Sequence, residues 1–361
     1  MKKIVLVCFF VALVVGAVYK STTSKSVFLS PLSGEKNISS PTITSLAQKG
    51  QEKESIFIPY WSVGNSPLYV EDFDEQIYFG IAVNEEGIDK TEDGYRKLSQ
   101  FMQNIPSVGK KLLVVRMINS KLNSRLLEKT ELQEKIIQGS IATAKQYHFS
   151  GIVLDYELSA LSFESVIKGI THFYQRFEKA SRRQNLSFSA TVFGDTFFRV
   201  RPYDVEKIGQ TADTVYIMAY DFHKSRGNPG PNFPFSGKNT YGYDFQTMIK
   251  DFSQVVPSHK LSVIFGMFGY NWPVDERHQS TGNGVALSLK EAKQQFVDAC
   301  KEKSCSLSYD SVSAENKVMF QDAIGIRHIV WFEDEKSVLK KREYAKKKGI
   351  VSIGYWAYSF F

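Results

Sequence analysis

The sequence predicts a parallel α/β fold, and three observations carry that prediction. Short apolar runs alternate with stretches whose apolar residues recur at three- and four-residue steps. The runs number eight: 55–60, 76–83, 111–117, 151–155, 187–193, 214–219, 261–266 and 350–355. One of them, Gly151-Ile152-Val153-Leu154-Asp155-Tyr156-Glu157, closes on two carboxylates. Side chains on a strand alternate, so Val153, Asp155 and Glu157 share one face.

Taken in order, the chain begins with Lys2 and Lys3 ahead of an apolar run from Ile4 to Val18. That length suits a signal-peptide core and is short for a spanning helix. Val15-Gly16-Ala17 offers small residues for cleavage, and an uncleaved membrane anchor fits nearly as well. Residues 1–19 are read as one of these two. Residues 20–54, rich in Ser, Thr, Lys and Pro, are read as a flexible tether, and 55–361 as the folded body. Either reading of the leader places the body outside the cytoplasm, secreted or anchored at the cell surface.

Within the body, Phe163, Val166, Ile167, Ile170, Phe173 and Phe177 form one apolar helix stripe, as do Tyr95, Leu98, Phe101, Met102 and Ile105. Two segments break the rhythm. Residues 222–243 are rich in Gly, Pro, Asn and aromatics and follow a strand, so they are expected to wall a cleft. Residues 273–334 are too long for one crossover helix, and 304–309, 316–320 and 329–332 read as further strands. Cys300 and Cys305 are five apart; a local disulfide and two free thiols are both open. The net charge of +7 is modest, and much of it falls on 336–348, the outer face of a late helix. No nucleic-acid module is present, and the six histidines form no ligand cluster.

Two acids at i and i+2 after a buried strand put a proton donor beside a second carboxylate, which glycosidic bond cleavage requires. The bland alternative is a structural carboxylate paired at the strand's end. The stretch resembles the signature of glycoside hydrolase family 18, an Asp-x-x-Asp-x-Asp-x-Glu run whose acidic positions fall here on Ser150, Val153, Asp155 and Glu157. The last two match; the first two do not. Met218-Ala219-Tyr220-Asp221 resembles the family's Met-x-Tyr-Asp motif, 261–272 its seventh strand, and 349–356, closing on Trp356, its eighth. His328-Ile329-Val330-Trp331-Phe332-Glu333-Asp334 is similar to the branch acting on bacterial cell wall and spore cortex.

The resemblance implies a (β/α)8 TIM barrel with a small α+β insertion between strands 7 and 8. It implies hydrolysis of β-1,4 bonds next to N-acetylglucosamine in peptidoglycan or chitin oligomers, with retention and with the substrate's N-acetyl oxygen as nucleophile. Glu157 is then the general acid, Asp155 and Tyr220 position the acetamido group, and Asp221 belongs to the same network. Met218 and Trp356 line the sugar site, with Tyr60, Trp272 and Trp331 as further aromatic subsites. No metal or organic cofactor is expected, because acid and nucleophile are already supplied. The changes at Ser150 and Val153 leave a non-catalytic, carbohydrate-binding protein as the alternative.

Overall fold

The structure, a computed structural model, describes residues 28–33, 52–298, 300 and 305–361. The predicted leader, 1–19, lies outside the described residues. Fourteen strands occur among them: β1 (Lys53–Pro59), β2 (Glu75–Asn84), β3 (Gly87–Ile88), β4 (Lys110–Met117), β5 (Gly151–Tyr156), β6 (Ser187–Phe193) and β7 (Thr214–Ala219). Then follow β8 (Leu261–Gly266), β9 (Phe268–Val274), β10 (Val285–Ser288), β11 (Cys305–Asp310), β12 (Glu315–Gln321), β13 (Arg327–Phe332) and β14 (Ser352–Trp356).

Eight of them close a parallel barrel in the order β1-β14-β8-β7-β6-β5-β4-β2, with β2 pairing back onto β1. Helices lie between the strands, the longest being Thr130–Gln146 and Glu164–Arg182. This is the (β/α)8 barrel. The predicted stripe holds over its second half: Ile170, Phe173 and Phe177 are buried, while Val166 and Ile167 are half-buried. Phe163, however, stands exposed as the residue just before its helix, and so lies outside the stripe.

Strand alternation sorts the barrel's side chains into two cores. Outward residues such as Ile56, Leu113, Ile152, Leu154 and Val215 meet the helices. Inward residues Phe57, Ile77, Leu112, Val114, Val153, Tyr216, Met218 and Ile264 fill the interior. Below them Glu75, almost fully buried, accepts hydrogen bonds from the Ser55 hydroxyl at 2.9 Å and the Tyr216 hydroxyl at 2.5 Å. Lys53 pairs with the other oxygen at 2.5 Å, so the charge buried at the barrel floor has its partner.

The insertion between β8 and β14 is a second sheet, antiparallel, ordered β10-β9-β13-β12-β11. The three strands expected there are β11, β12 and β13; β9 and β10 were not anticipated. Only Met267 separates β8 from β9, so one continuous apolar run serves two sheets. Cys300 and Cys305 form a disulfide with their Cα atoms 5.5 Å apart. Behind this sheet the wholly buried Lys341 ammonium reaches Glu315 at 2.8 Å and Glu333 at 2.5 Å. Glu315 also accepts the backbone N–H groups of Asn232 (2.6 Å) and Phe233 (2.8 Å), tying the long loop after β7 to the insertion.

The expectation of a flexible tether over 20–54 needs correction in two places. Lys53 and Glu54 already belong to β1. Residues 28–33 pack on the barrel: Leu32 and Ser30 are buried, and the Ser30 hydroxyl donates to Glu54. Phe28 sits 4.6 Å, ring to ring, from both Tyr358 and Phe361, and its N–H bonds the Tyr69 carbonyl. Tyr355 on β14 packs against Phe73 and Phe361, and its hydroxyl lies 3.5 Å from that of Ser30.

Candidate active site

The C-terminal ends of the barrel strands open into a cleft of about 400 Å³. Asp155, Glu157, Met218, Tyr220, Asp221 and Trp356 all line it, so sequence-distant candidates from three strands meet at one place. Alternation places Asp155 above Val153 on the inner face of β5, and Glu157 one step beyond the strand's last residue.

The backbone around Glu157 is fixed from both sides. Its N–H bonds Met117 O at 2.8 Å, and Asn123 Nδ2 donates to Glu157 O at 2.7 Å and to Met117 O at 2.5 Å. The Tyr203 hydroxyl donates to Tyr156 O and accepts from Leu158 N, each at 2.8 Å. Clamping both flanking peptides holds the carboxyl's direction, and precise placement is worth orders of magnitude in rate.

Burial sets the protonation of the pair. Glu157 is pushed up to about 8 by burial first and the neighbouring Asp155 second, against the pull of Lys224 and Arg201. Asp155 is buried and raised to about 6, also by desolvation, with the Thr191 hydroxyl bond and the Arg116 charge opposing. Near neutral pH, Glu157 therefore keeps its proton and Asp155 its charge: an acid beside an anion. Thr191 Oγ1 donates to Asp155 Oδ1 at 2.5 Å. It supplies the hydrogen bond that Val153, packed among apolar neighbours, cannot. Ser150 lies at the far, N-terminal end of β5, exposed and away from the cleft.

Tyr220 and Asp221 reach the same cleft because the chain turns between them. Asp221 takes a left-handed backbone (φ 58°), which Asp tolerates better than most residues, and Asn232 Oδ1 holds its N–H at 2.8 Å. Tyr220 is driven well above the ordinary phenol range by burial and by Asp155, so its hydroxyl remains a donor. Asp221 is raised by desolvation, while the Tyr270 hydroxyl donates to its Oδ1 at 2.8 Å. Gly266, ending β8, leaves room for this packing. A Cβ there would lie 2.6 Å from Cβ of Tyr220 and 2.9 Å from Nδ2 of Asn232.

Trp356 forms an aromatic floor. Phe79 meets its ring edge-on at 4.7 Å and Tyr220 lies nearly parallel at 6.4 Å. The Trp356–Ala357 peptide is cis. The other aromatics expected at subsites, Tyr60, Trp272 and Trp331, are all elsewhere. Trp272 is fully buried and Trp331 nearly so, packed with Val274 and Ile329 in the core of the insertion sheet. Trp272 Nε1 donates to Ser225 O at 3.2 Å. Tyr60 does not line the cleft; its ring carries the Arg116 guanidinium at 4.9 Å. Its neighbour Trp61, about half exposed and 6.2 Å from Trp356, holds the rim instead.

Sequence reasoning missed Thr191, Arg116, Tyr203, Asn123, Tyr270, Phe193 and Lys224. Thr191 and Arg116 lie on strands flanking β5, where register sets Arg116 beside Asp155. Inward alternation on those strands was the signal available.

The model of the family described as glycosyl hydrolases family 18 matches residues 55–360, so the chain belongs to that family. A cortical fragment-lytic enzyme of Bacillus anthracis is 25% identical over 248 residues, covering 66% of this chain and 53% of that protein. The chain thus spans about half the length of that relative. Among solved structures, the Bacillus cereus spore cortex-lytic enzyme SleL superposes with a TM-score of 0.67 at 19% identity, covering 87% of this chain and 73% of that one. The class V chitinase from Nicotiana tobaccum gives 0.70 at 16% identity, covering 86% and 95%. At these identities the structural likeness is one of fold.

Proposed function

We propose that this protein is a retaining glycosidase that cleaves β-1,4 bonds next to N-acetylglucosamine by substrate-assisted catalysis. The observation that carries the reading is the Asp155–Glu157 pair at the floor of an aromatic-walled cleft, where burial raises the proton affinity of both carboxyls. Glu157 donates its proton to the leaving oxygen as the substrate's acetamido oxygen closes on C1. Asp155 accepts the acetamido N–H and stabilises the cyclic oxazolinium cation that results. Tyr220 donates its hydroxyl to the acetamido oxygen and holds it in line. Glu157, now a carboxylate, takes a proton from the water that opens the ring, and two inversions give retention. Trp356 stacks under the apolar face of the sugar.

Peptidoglycan is the first substrate and chitin oligomers the second; the relatives named for cortical fragments and for chitin support both. The body works outside the cytoplasm, held or exported by the segment from Lys2 to Val18. The Cys300–Cys305 disulfide supports an oxidising compartment. A reducing-end assay with the purified full chain on both polymers tests the reading, and products retaining the β configuration are expected. No release from either polymer by folded protein would overturn it. The apolar seat of Val153 favours a second reading, a carbohydrate-binding protein without turnover. That reading holds only if wild type and Glu157→Gln bind glycan alike and neither cleaves it.

A further inference from the structure

Among the described residues three cations stand near the carboxylates of the cleft, and two are already matched. Arg116 pairs with Glu92, and Arg201 with Asp195 at 2.6 Å. Lys224 lines the cleft with Glu157, Asp221 and Tyr270, and its ammonium makes no ion pair among the described residues. Its Nζ lies 5.4 Å from the centroid of the Phe193 ring. The backbone beneath it is held by the insertion. The Ser225 hydroxyl donates to Gly284 O at 2.5 Å, Gly284 N to Ser225 O at 2.8 Å, and Trp272 Nε1 to the same carbonyl at 3.2 Å.

We propose that Lys224 is a specificity residue forming an anionic subsite, which takes a carboxylate carried on a substituent of the N-acetylated sugar beside the scissile bond. A fixed positive charge here works against the site's own acid, since Lys224 pulls Glu157 and Asp221 toward ionisation. A neutral polymer of N-acetylglucosamine offers that charge no partner. A sugar bearing a carboxylate neutralises it, and Glu157 then holds its proton more firmly in the complex than in the free protein. The charge of the correct substrate completes the acid. The carboxylate has two sources, a free lactyl ether on the sugar or the peptide stem attached to it. The proposal takes its substrate polymer from the glycosidase reading but requires no turnover.

Calorimetry on full-length Glu157→Gln protein, with and without Lys224→Met, separates these points. The ligands are soluble N-acetylglucosamine oligomers, glycan with free lactyl carboxylates, and glycan carrying peptide stems. Lys224→Met is expected to weaken binding of a carboxylate-bearing glycan roughly 5- to 10-fold relative to the neutral oligomer. Lys224→Arg retains most of the preference and Lys224→Glu reverses it. The arm that responds identifies the carboxylate. Equal losses on charged and neutral glycans, or no preference for charged glycan while Lys224 is present, overturns the proposal. Turnover with Glu157 intact is read separately. Lys224-dependent binding without cleavage removes the hydrolase reading and leaves the subsite. Cleavage whose charge preference survives Lys224→Met removes the subsite and leaves the hydrolase.

Discussion

The protein buries carboxylates in two places and treats them differently. Under the insertion, Glu315 and Glu333 are fully buried but share the Lys341 ammonium, and Glu315 collects two backbone N–H groups as well. At the barrel mouth, Asp155 and Glu157 have no lysine or arginine bonded to them among the described residues; Asp155 has one hydroxyl. Cations stand nearby, each engaged elsewhere or left at the rim. Burial raises carboxyl affinity for protons in both places. Glu333 rises to about 8 just as Glu157 does, so what separates the two places is geometry: one ammonium, Lys341, bridges Glu315 and Glu333. The first cluster fastens two parts of the fold; the second holds a proton that can be given away.

The largest test of that contrast is Glu157→Gln. It removes the transferable proton and is expected to lower kcat by roughly 10²- to 10⁴-fold, read by reducing-end release. The same variant tests the burial argument through stability. Glu157 binds its proton more tightly folded than unfolded, so its contribution to stability falls as pH rises from its ordinary 4.5 toward about 8. The thermal midpoint of Glu157→Gln should therefore exceed that of wild type at pH 9, and the gap should close by pH 4. A gap independent of pH would refute the raised affinity.

Lys341→Met breaks the other cluster. Leaving both glutamates without their cation is expected to cost about 3–5 kcal/mol, measured by urea denaturation. A loss under about 1 kcal/mol would show that the joint contributes little.

Val153→Asp tries to convert one region toward the other by adding an acid below Asp155. The new carboxyl would sit among Phe57, Ile77, Leu112 and Tyr216, lowering stability by roughly 2–3 kcal/mol and shifting the pH–rate profile. An unchanged profile in folded protein means that Thr191 alone suffices for Asp155.

The smallest expected effect is Tyr203→Phe, which loosens the clamp around Glu157 without touching a charge. We expect kcat to fall about 10-fold with KM little changed. A change confined to KM would place Tyr203 in binding rather than positioning.

Much of the barrel was legible because strand and helix periods are local. Three predicted strands, 187–193, 214–219 and 261–266, coincide with β6, β7 and β8, and the other five differ by one or two residues at one or both ends. The carboxylate pair was legible for the same reason, since i and i+2 on one strand is a local relation. Asp155's partner was not. Thr191 belongs to the next strand, and nothing near either residue announces their 2.5 Å bond. The tryptophans failed for a related reason. Trp272 and Trp331 stand at the ends of apolar runs just as Trp356 does. Only the register between β9 and β13, which sets Trp272 against Ile329, sends them into a second core. Composition cannot tell which sheet an aromatic side chain will face.

The short segment 28–33 matters mechanically. Leu32, Ser30 and Phe28 are fastened along the seam between β1 and β14, through Glu54, Tyr69, Tyr358 and Phe361. Tension applied to the chain ahead of Phe28 is thus delivered to that seam first. It meets a strip of aromatic packing and a few hydrogen bonds before it reaches any strand. Trp356 and Phe360 of the cleft lie in the same stretch as Tyr358 and Phe361, which Phe28 grips, so the strap is joined to the aromatic side of the cleft and not to the loops bearing Glu157 and Asp221.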